Sequence, residues 1–413
     1  MTAISVMSKS SEAVKSLEAI GNGERLYFLD WVRIFAFCLL IFYHVGMYYV
    51  TWYWHIKSDS ASNTIEPLMF LTSPWRMSLL FLVSGVATRF MLGKQRATSF
   101  ASSRSLRILL PLIFGMAVIV PPQAYLEVVQ RLNYLGSYSD FLNLYFHNYR
   151  GFVIEGKRLV LPTWNHLWFL PYLWVYSILI ALFVGTAPGL IASLERWIGK
   201  WFRGIWILLV PVAYLALIRI NLLSDHPPSN NLTNDWYNHA NYLFFFMSGF
   251  LLATQTHFWF ELAQKRWRSL VLAVCGWVFL ISYFAYYNDN HEASQAMLYF
   301  QRAVWTFMAW NAILALCGFA RQHWNRDHPL RNYLTQAVFP FYILHQTLII
   351  VLAWNLRVWH LPAAIEGLVL IVLCFALCFL AFEMIRRIAF LRPLFGLNWN
   401  AAISAQKVKN SSF

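Results

Sequence analysis

Charge is scarce in this chain. Of its 413 residues only 12% are Asp, Glu, Lys or Arg, about half the share in a soluble globular domain. Acidic residues are the scarcer sign, 18 against 32 Lys plus Arg. So thin a polar surface excludes a water-solvated globular protein. Cysteine chemistry is absent in pattern as well. Cys38, Cys275, Cys317, Cys374 and Cys378 all fall inside apolar segments and make no Cys-x-x-Cys pair. They read as small core residues, with no disulfide framework and no metal site. No repeat of 20–50 residues and no two-half symmetry is evident, which disfavours an inverted-repeat transporter. Residues 1–26 lack the apolar core of a signal peptide and read as a polar cytosolic leader that is not cleaved.

What is abundant is apolar. Hydrophobic residues make up 59% of the chain, and aromatics 18%, with 20 Trp. Ten stretches are long enough to cross about 30 Å of hydrocarbon: 27–50, 67–89, 106–126, 165–185, 204–222, 236–255, 269–287, 298–320, 333–355 and 363–385. The expected fold is therefore all-α, a polytopic membrane protein of about ten helices. Its bundle spans 27–390, followed by a C-terminal tail at 391–413. The formal net charge of +14 could suggest nucleic acid, but its distribution speaks for topology. One set of connections carries 22 Lys and Arg and the opposite set 6, which places both termini in the cytosol. The longest opposite-side connection, Glu127 to Thr163, reads either as an extracytoplasmic substrate surface or as an ordinary ordered loop.

The first apolar stretch contains ionisable residues. Arg33 and His44 are eleven positions apart, a rotation only about 20° from three full turns, so both lie on one helix face about 16 Å apart along the axis. Asp30, one turn before Arg33, shares that stripe. Ionisable groups within a membrane span are costly and are candidates for function. Neutral imidazole is a suitable general base for a hydroxyl, which singles out His44. Arg33 either pairs with Asp30 or lines a path for an anionic ligand.

Other candidates are spread along the chain. Arg76 lies at nearly the depth of His44, where it either binds an acyl carboxylate or oxyanion or snorkels to the interface. Arg89, Lys94, Arg96, Arg104 and Arg107 form the densest basic patch. The i,i+3 pair Arg104 and Arg107 is expected at the start of the third helix, where the dipole also favours a polyphosphate. His166, in Trp164-Asn165-His166-Leu167-Trp168, opens the fourth span, and His345 follows Pro340 in the ninth.

In order along the chain, these motifs resemble the membrane-bound acyltransferase family 3. They comprise Arg33 with His44 after ten residues, Phe81-Leu82-Val83-Ser84-Gly85, Arg104-x-x-Arg107, and His166-Leu167-Trp168-Phe169-Leu170. Tyr27-Phe28-Leu29-Asp30 and Arg76-Met77 look most like the glucan-modifying branch, which includes the succinyltransferase of osmoregulated periplasmic glucans. The similarity extends over about residues 25–390. It implies a multi-pass protein of the bacterial inner membrane that moves an acetyl or succinyl group from cytosolic acyl-CoA to a hydroxyl of an extracytoplasmic glycan. His44, Arg33 and Asp30 would be catalytic. Arg104, Arg107 and Arg89 would bind CoA. Arg76, His166 and His345 would face the substrate. Transfer could be direct or pass through an acyl-His44 intermediate. The partners implied are membrane lipid and a glycan, with no nucleic acid and no metal. A transporter or flippase for an anionic lipid or glycan is the competing class.

Overall fold

A computed structural model describes residues 26–287 and 291–399. The expected leader falls outside the described residues except for Leu26. The architecture is helical. Its helices are α1 (Tyr27–Tyr49), α2 (Glu66–Thr72), α3 (Arg76–Leu92), α4 (Ala97–Phe114), α5 (Pro121–Leu132), α6 (Tyr138–Phe146), α7 (Phe169–Thr186), α8 (Pro188–Trp201), α9 (Trp206–Leu222), α10 (Trp236–Leu252), α11 (Thr256–Tyr286), α12 (Gln295–His323), α13 (Pro329–Leu356), α14 (Ala363–Arg387) and α15 (Leu391–Leu394). Among the described residues the only strands form one antiparallel hairpin, Val153–Ile154 with Lys157–Arg158, in which Val153 faces Arg158.

The expected ten crossings give way to eight helices long and apolar enough to span a membrane, or nine if the α8–α9 pair, bent by 117°, counts as one. At 17 residues, α9 and α10 rise only about 25 Å, short of the hydrocarbon thickness. Both still keep the up-and-down order. Trp310 and Arg302 of α12 donate to the carbonyls of Ile207 and Ile220 respectively, so α9 and α12 are antiparallel.

Helices α3 and α10 run side by side in the same direction. Asn241 of α10 bonds Ser78 near the start of α3, and further along the two backbones touch. A Cβ on Gly85 would lie 1.9 Å from the Phe246 carbonyl oxygen, and one on Gly249 would lie 1.9 Å from that of Leu82. The crossing is reciprocal: Phe-Leu-Val-Ser-Gly at 81–85 meets Phe-Phe-Met-Ser-Gly at 245–249. Each glycine meets the carbonyl three residues before the other glycine, an approach that no side chain permits.

Helices α1 and α13 also run parallel, and their polar contacts keep one register. Asp30 pairs with Arg331, and His44 meets His345. Between these rungs, Phe37 packs edge-on against Tyr342. The buried apolar core fills the space among α1, α3, α7, α10, α12, α13 and α14.

The third crossing starts earlier than expected. Helix α4 begins at Ala97, contains Pro111, and loosens into a π-helical turn over Gly115–Ile119. Pro121 and Pro122 then start α5. From there to Thr163 the chain builds a small ordered unit with its own core of Ala124, Val128, Phe141, Tyr145, Phe152 and Leu161. Ser137 and Asp140 cap α6 reciprocally. At the C-terminal side, the segment expected to begin a tail at 391 folds back. Arg392, Phe395 and Leu397 are buried against the bundle.

Candidate functional site

Three histidines far apart in sequence meet in the bundle. His44 from α1 and His345 from α13 have ring centroids 4.9 Å apart, and His345 and His166 are 5.2 Å apart. His166 comes from a 3₁₀ turn, Asn165–Trp168, at the start of α7. His345 and His166 are buried, at 1% and 6% exposure. The sequence singled out all three without placing them together.

Hydrogen bonding fixes which nitrogens carry protons. His345 Nδ1 lies 2.8 Å from the Tyr342 carbonyl and 3.1 Å from that of Phe341. Carbonyls only accept, so Nδ1 is the donor and Nε2 holds the lone pair. His44 Nδ1 then faces two acceptors, the Leu40 carbonyl at 2.8 Å and His345 Nε2 at 3.1 Å. It must carry the hydrogen, which leaves His44 Nε2 basic. His166 Nε2 donates to the Ile343 carbonyl at 3.0 Å, and its Nδ1 accepts from Gln123 at 3.2 Å. Gln123 also reaches Thr347, and Gln346 donates to Gln123. The whole network is satisfied with neutral imidazoles. Among the described residues no group of His, Cys, Asp or Glu is placed to hold a metal ion.

A loop absent from the sequence-based candidates covers His44. Trp54 stacks over its ring at 6.5 Å with 28° between planes. Neighbouring side chains anchor that loop. His55 Nδ1 and the Tyr53 hydroxyl each lie 2.5 Å from the carboxylate of Glu127, which is 1% exposed. Arg131 donates to the carbonyls of Trp54 and His55. Lys57 Nζ donates to the carbonyls of Met47 and Val50, at the end of α1. Burial acts to raise the Glu127 carboxyl. His55, Tyr53 and Arg131 outweigh it and hold the group below the ordinary carboxylate range. A residue pattern that mattered here was available in the sequence, the run Tyr53-Trp54-His55 outside any span, but its partner lies 72 positions away.

At the end of the bundle where α1 begins, a basic cavity of about 400 Å³ opens. Arg33, Arg104, Arg107 and Arg392 line it, together with Ser84, Gln336 and Asn398. Arg33 lies 3.8 Å from Asp30, yet its Nε is buried without a hydrogen-bond partner. Asp30 is held more closely by Arg331, at 2.5 Å, so it braces α1 against α13. Arg107 Nε donates to the Gly396 carbonyl, which a positive φ of 70° turns toward it. The i,i+3 reading of Arg104 and Arg107 holds, but the helix dipole does not contribute, because α4 starts seven residues before Arg104. Arg89 does not join the cavity lining. It makes a two-pronged ion pair with Glu195. Arg392, placed by the sequence in the tail, is the fourth arginine instead.

The inner wall of this cavity is made by Phe37, Val83 and Phe169. Phe37 and Phe169 both pack on Tyr342, whose hydroxyl donates to the His166 carbonyl. Phe37 is two turns below His44 on α1, a rise of about 10 Å. The basic cavity and the histidine cluster are thus separated by a thin layer of rings. Arg76 is on the other side of that layer, with its guanidinium 3.2 Å from the centre of the Tyr43 ring. The arrangement can hold a polyanion at one end and remove a proton near the middle.

A family model described as an acyltransferase domain matches residues 26–383. Glucans biosynthesis protein C of Escherichia coli strain K12 is 22% identical over 339 residues, covering 79% of this chain and 82% of that protein. The proteins of the same name from strains O1:K1 / APEC and O45:K1 (S88 / ExPEC) match to the same extent. No solved structure matches the chain.

Proposed function

The chain belongs to the acyltransferase family whose domain it matches from residue 26 to residue 383, and from that premise we propose that it transfers an acyl group from acyl-CoA to a hydroxyl of a glycan across a bacterial inner membrane. The relatives named for glucan biosynthesis support a glycan as acceptor. The surplus of Lys and Arg on one set of connections supports a cytosolic position for the basic cavity. There Arg33, Arg104, Arg107 and Arg392 would hold the CoA phosphates, and acetyl-CoA and succinyl-CoA are the donors to try.

The observation that carries the reading is the basic Nε2 of His44. With Nδ1–H held by the Leu40 carbonyl and His345 Nε2, Nε2 accepts the proton of the acceptor hydroxyl. The hydroxyl oxygen attacks the thioester carbon, and a C–O bond forms. The tetrahedral intermediate collapses with loss of the C–S bond. The proton held by His44 then passes to the departing CoA thiolate. His345 and His166 fix the orientation of the base, and Trp54 covers it. This supports direct transfer with one base.

The test uses the purified full chain in lipid nanodiscs, given acetyl-CoA or succinyl-CoA and a glucose oligosaccharide. Free thiol and product mass are measured together. Thiol release matched by an esterified sugar is expected, and His44→Ala should lower the rate about 10²–10⁴-fold while the protein stays folded. A transporter would consume no thioester. Undiminished turnover in His44→Ala would overturn the base assignment.

A further inference from the structure

A second cavity, on the histidine side of the ring layer, has no role in the scheme above. It measures about 300 Å³ and lies among α3, α9, α10 and α12. Two arginines line it, Arg76 at the start of α3 and Arg219 near the end of α9. Each has a buried Nε with no hydrogen-bond partner. The other contacts of each guanidinium are few. Arg76 lies over the Tyr43 ring, with a long 3.4 Å bond to the Ser73 carbonyl. Arg219 donates to the Tyr237 hydroxyl at 2.5 Å and lies 4.4 Å from the Trp305 ring centre. Arg302 is close behind, bonded to the Ile220 carbonyl and the Ser224 hydroxyl.

No acidic side chain lines this cavity among the described residues. Asp235, on the segment entering α10, is occupied elsewhere. Its carboxylate accepts from Tyr172, Asn238 and the amides of Ser229 and Asn230. Two guanidiniums with buried, unpaired donors and no counter-charge in the cavity form an anion site, because an unpaired buried donor costs more than a paired one. The rest of the lining suits a sugar. Trp168, Trp305 and Tyr242 offer ring faces, and Asn230 and Asn241 offer amides for hydroxyls. One of its arginines is also near the base: Arg76 packs on the ring of Tyr43, the residue before His44 in α1, and its charge acts on His44.

We infer that Arg76 and Arg219 form a binding site for one anionic group, a carboxylate or phosphate, carried by a substrate positioned beside His44. This rests on the acyl-transfer reading for the identity of that substrate. The anion can come from an acidic substituent on the acceptor sugar or from the free carboxylate of a dicarboxylic acyl group. Nothing in the site depends on CoA, so it can be tested without turnover.

The experiment measures binding to the full chain in nanodiscs of a glucose trisaccharide, the same trisaccharide with a terminal glucuronate, and succinate. An acidic ligand should bind about tenfold more tightly than the neutral sugar, with the advantage falling as salt rises. Preference for the glucuronate assigns the anion to the acceptor, and preference for succinate assigns it to the acyl group. In Arg219→Gln the advantage should disappear, and in Arg219→Lys it should partly remain. Both variants are first checked for an unchanged unfolding temperature. If Arg219→Gln fails that check, Arg219→Lys and Arg76→Lys are compared instead, and a reduced advantage in both supports the site. Equal binding of neutral and acidic ligands, or an advantage that survives these substitutions, overturns the inference. Loss of acyl transfer without loss of acidic-ligand binding would refute the transferase reading and leave the anion site standing.

Discussion

At the scale of single residues, the site depends on where protons are held. Under the proposed function His44 would serve as a base, because a backbone carbonyl and a second imidazole fix its Nδ1 hydrogen. Glu127 acts one step further out, through the loop that places Trp54 on His44. Its carboxyl is held below its ordinary value of 4.5 in the folded protein. On acidification the unfolded chain therefore takes up a proton first. The stability Glu127 contributes is complete above pH 4.5 and is lost as the pH falls toward the lowered folded value. Unfolding temperature measured against pH should fall more steeply below that point in the natural protein than in Glu127→Gln. Parallel curves would remove Glu127 from this role. The stripe of Asp30, Arg33 and His44 was legible from 100° arithmetic, because it depends only on helix geometry. The partner of Asp30 was not. Arg331 is 301 residues away, and no local pattern links them.

At the scale of helices, two small residues decide a crossing. The Ser84-Gly85 motif reads in sequence only as a family signature. The structure gives it two separate tasks: Ser84 lines the basic cavity, and Gly85 lets α3 touch α10. A methyl group at Gly85 has no free space, and the obstacle is backbone rather than a flexible side chain. Gly85→Ala should destabilise the protein by about 1–3 kcal/mol or more, read as a lower unfolding temperature in detergent. An unchanged temperature would show that the two helices separate easily. The partner motif at 245–249 was present in the sequence as well, but pairing it with 81–85 requires knowing that α3 and α10 are neighbours. The element count was less legible. Ten apolar runs are visible, yet α9 and α10 are short, and length alone does not reveal how a short helix packs.

At the scale of the molecule, the basic cavity draws on the whole chain. Arg33 comes from α1, Arg104 and Arg107 from α4, Gln336 from α13 and Arg392 from α15. Three of its four arginines stood out in the sequence, Arg33 as a charge within an apolar span and Arg104 and Arg107 as the i,i+3 pair of the densest basic patch. Arg392 did not, because a short polar stretch after the last span looks like tail. If the cavity takes CoA, replacing Arg104 and Arg107 together by Ala should weaken acyl-CoA binding about tenfold or more. Arg89→Ala, outside the cavity, should leave it unchanged. Titration of acyl-CoA against the three proteins decides this, and equal affinities would return the arginines to topology alone. The ring layer of Phe37, Phe169 and Tyr342 has a further consequence. Under the proposed function, donor and acceptor reach the reaction from opposite faces of a membrane, and this layer is what stands between their two cavities. On that reading it would double as the seal of the proton gradient. The thioester would have to pass this seal without breaching it, so the aromatic residues that admit the acyl chain would also set how little current the membrane leaks.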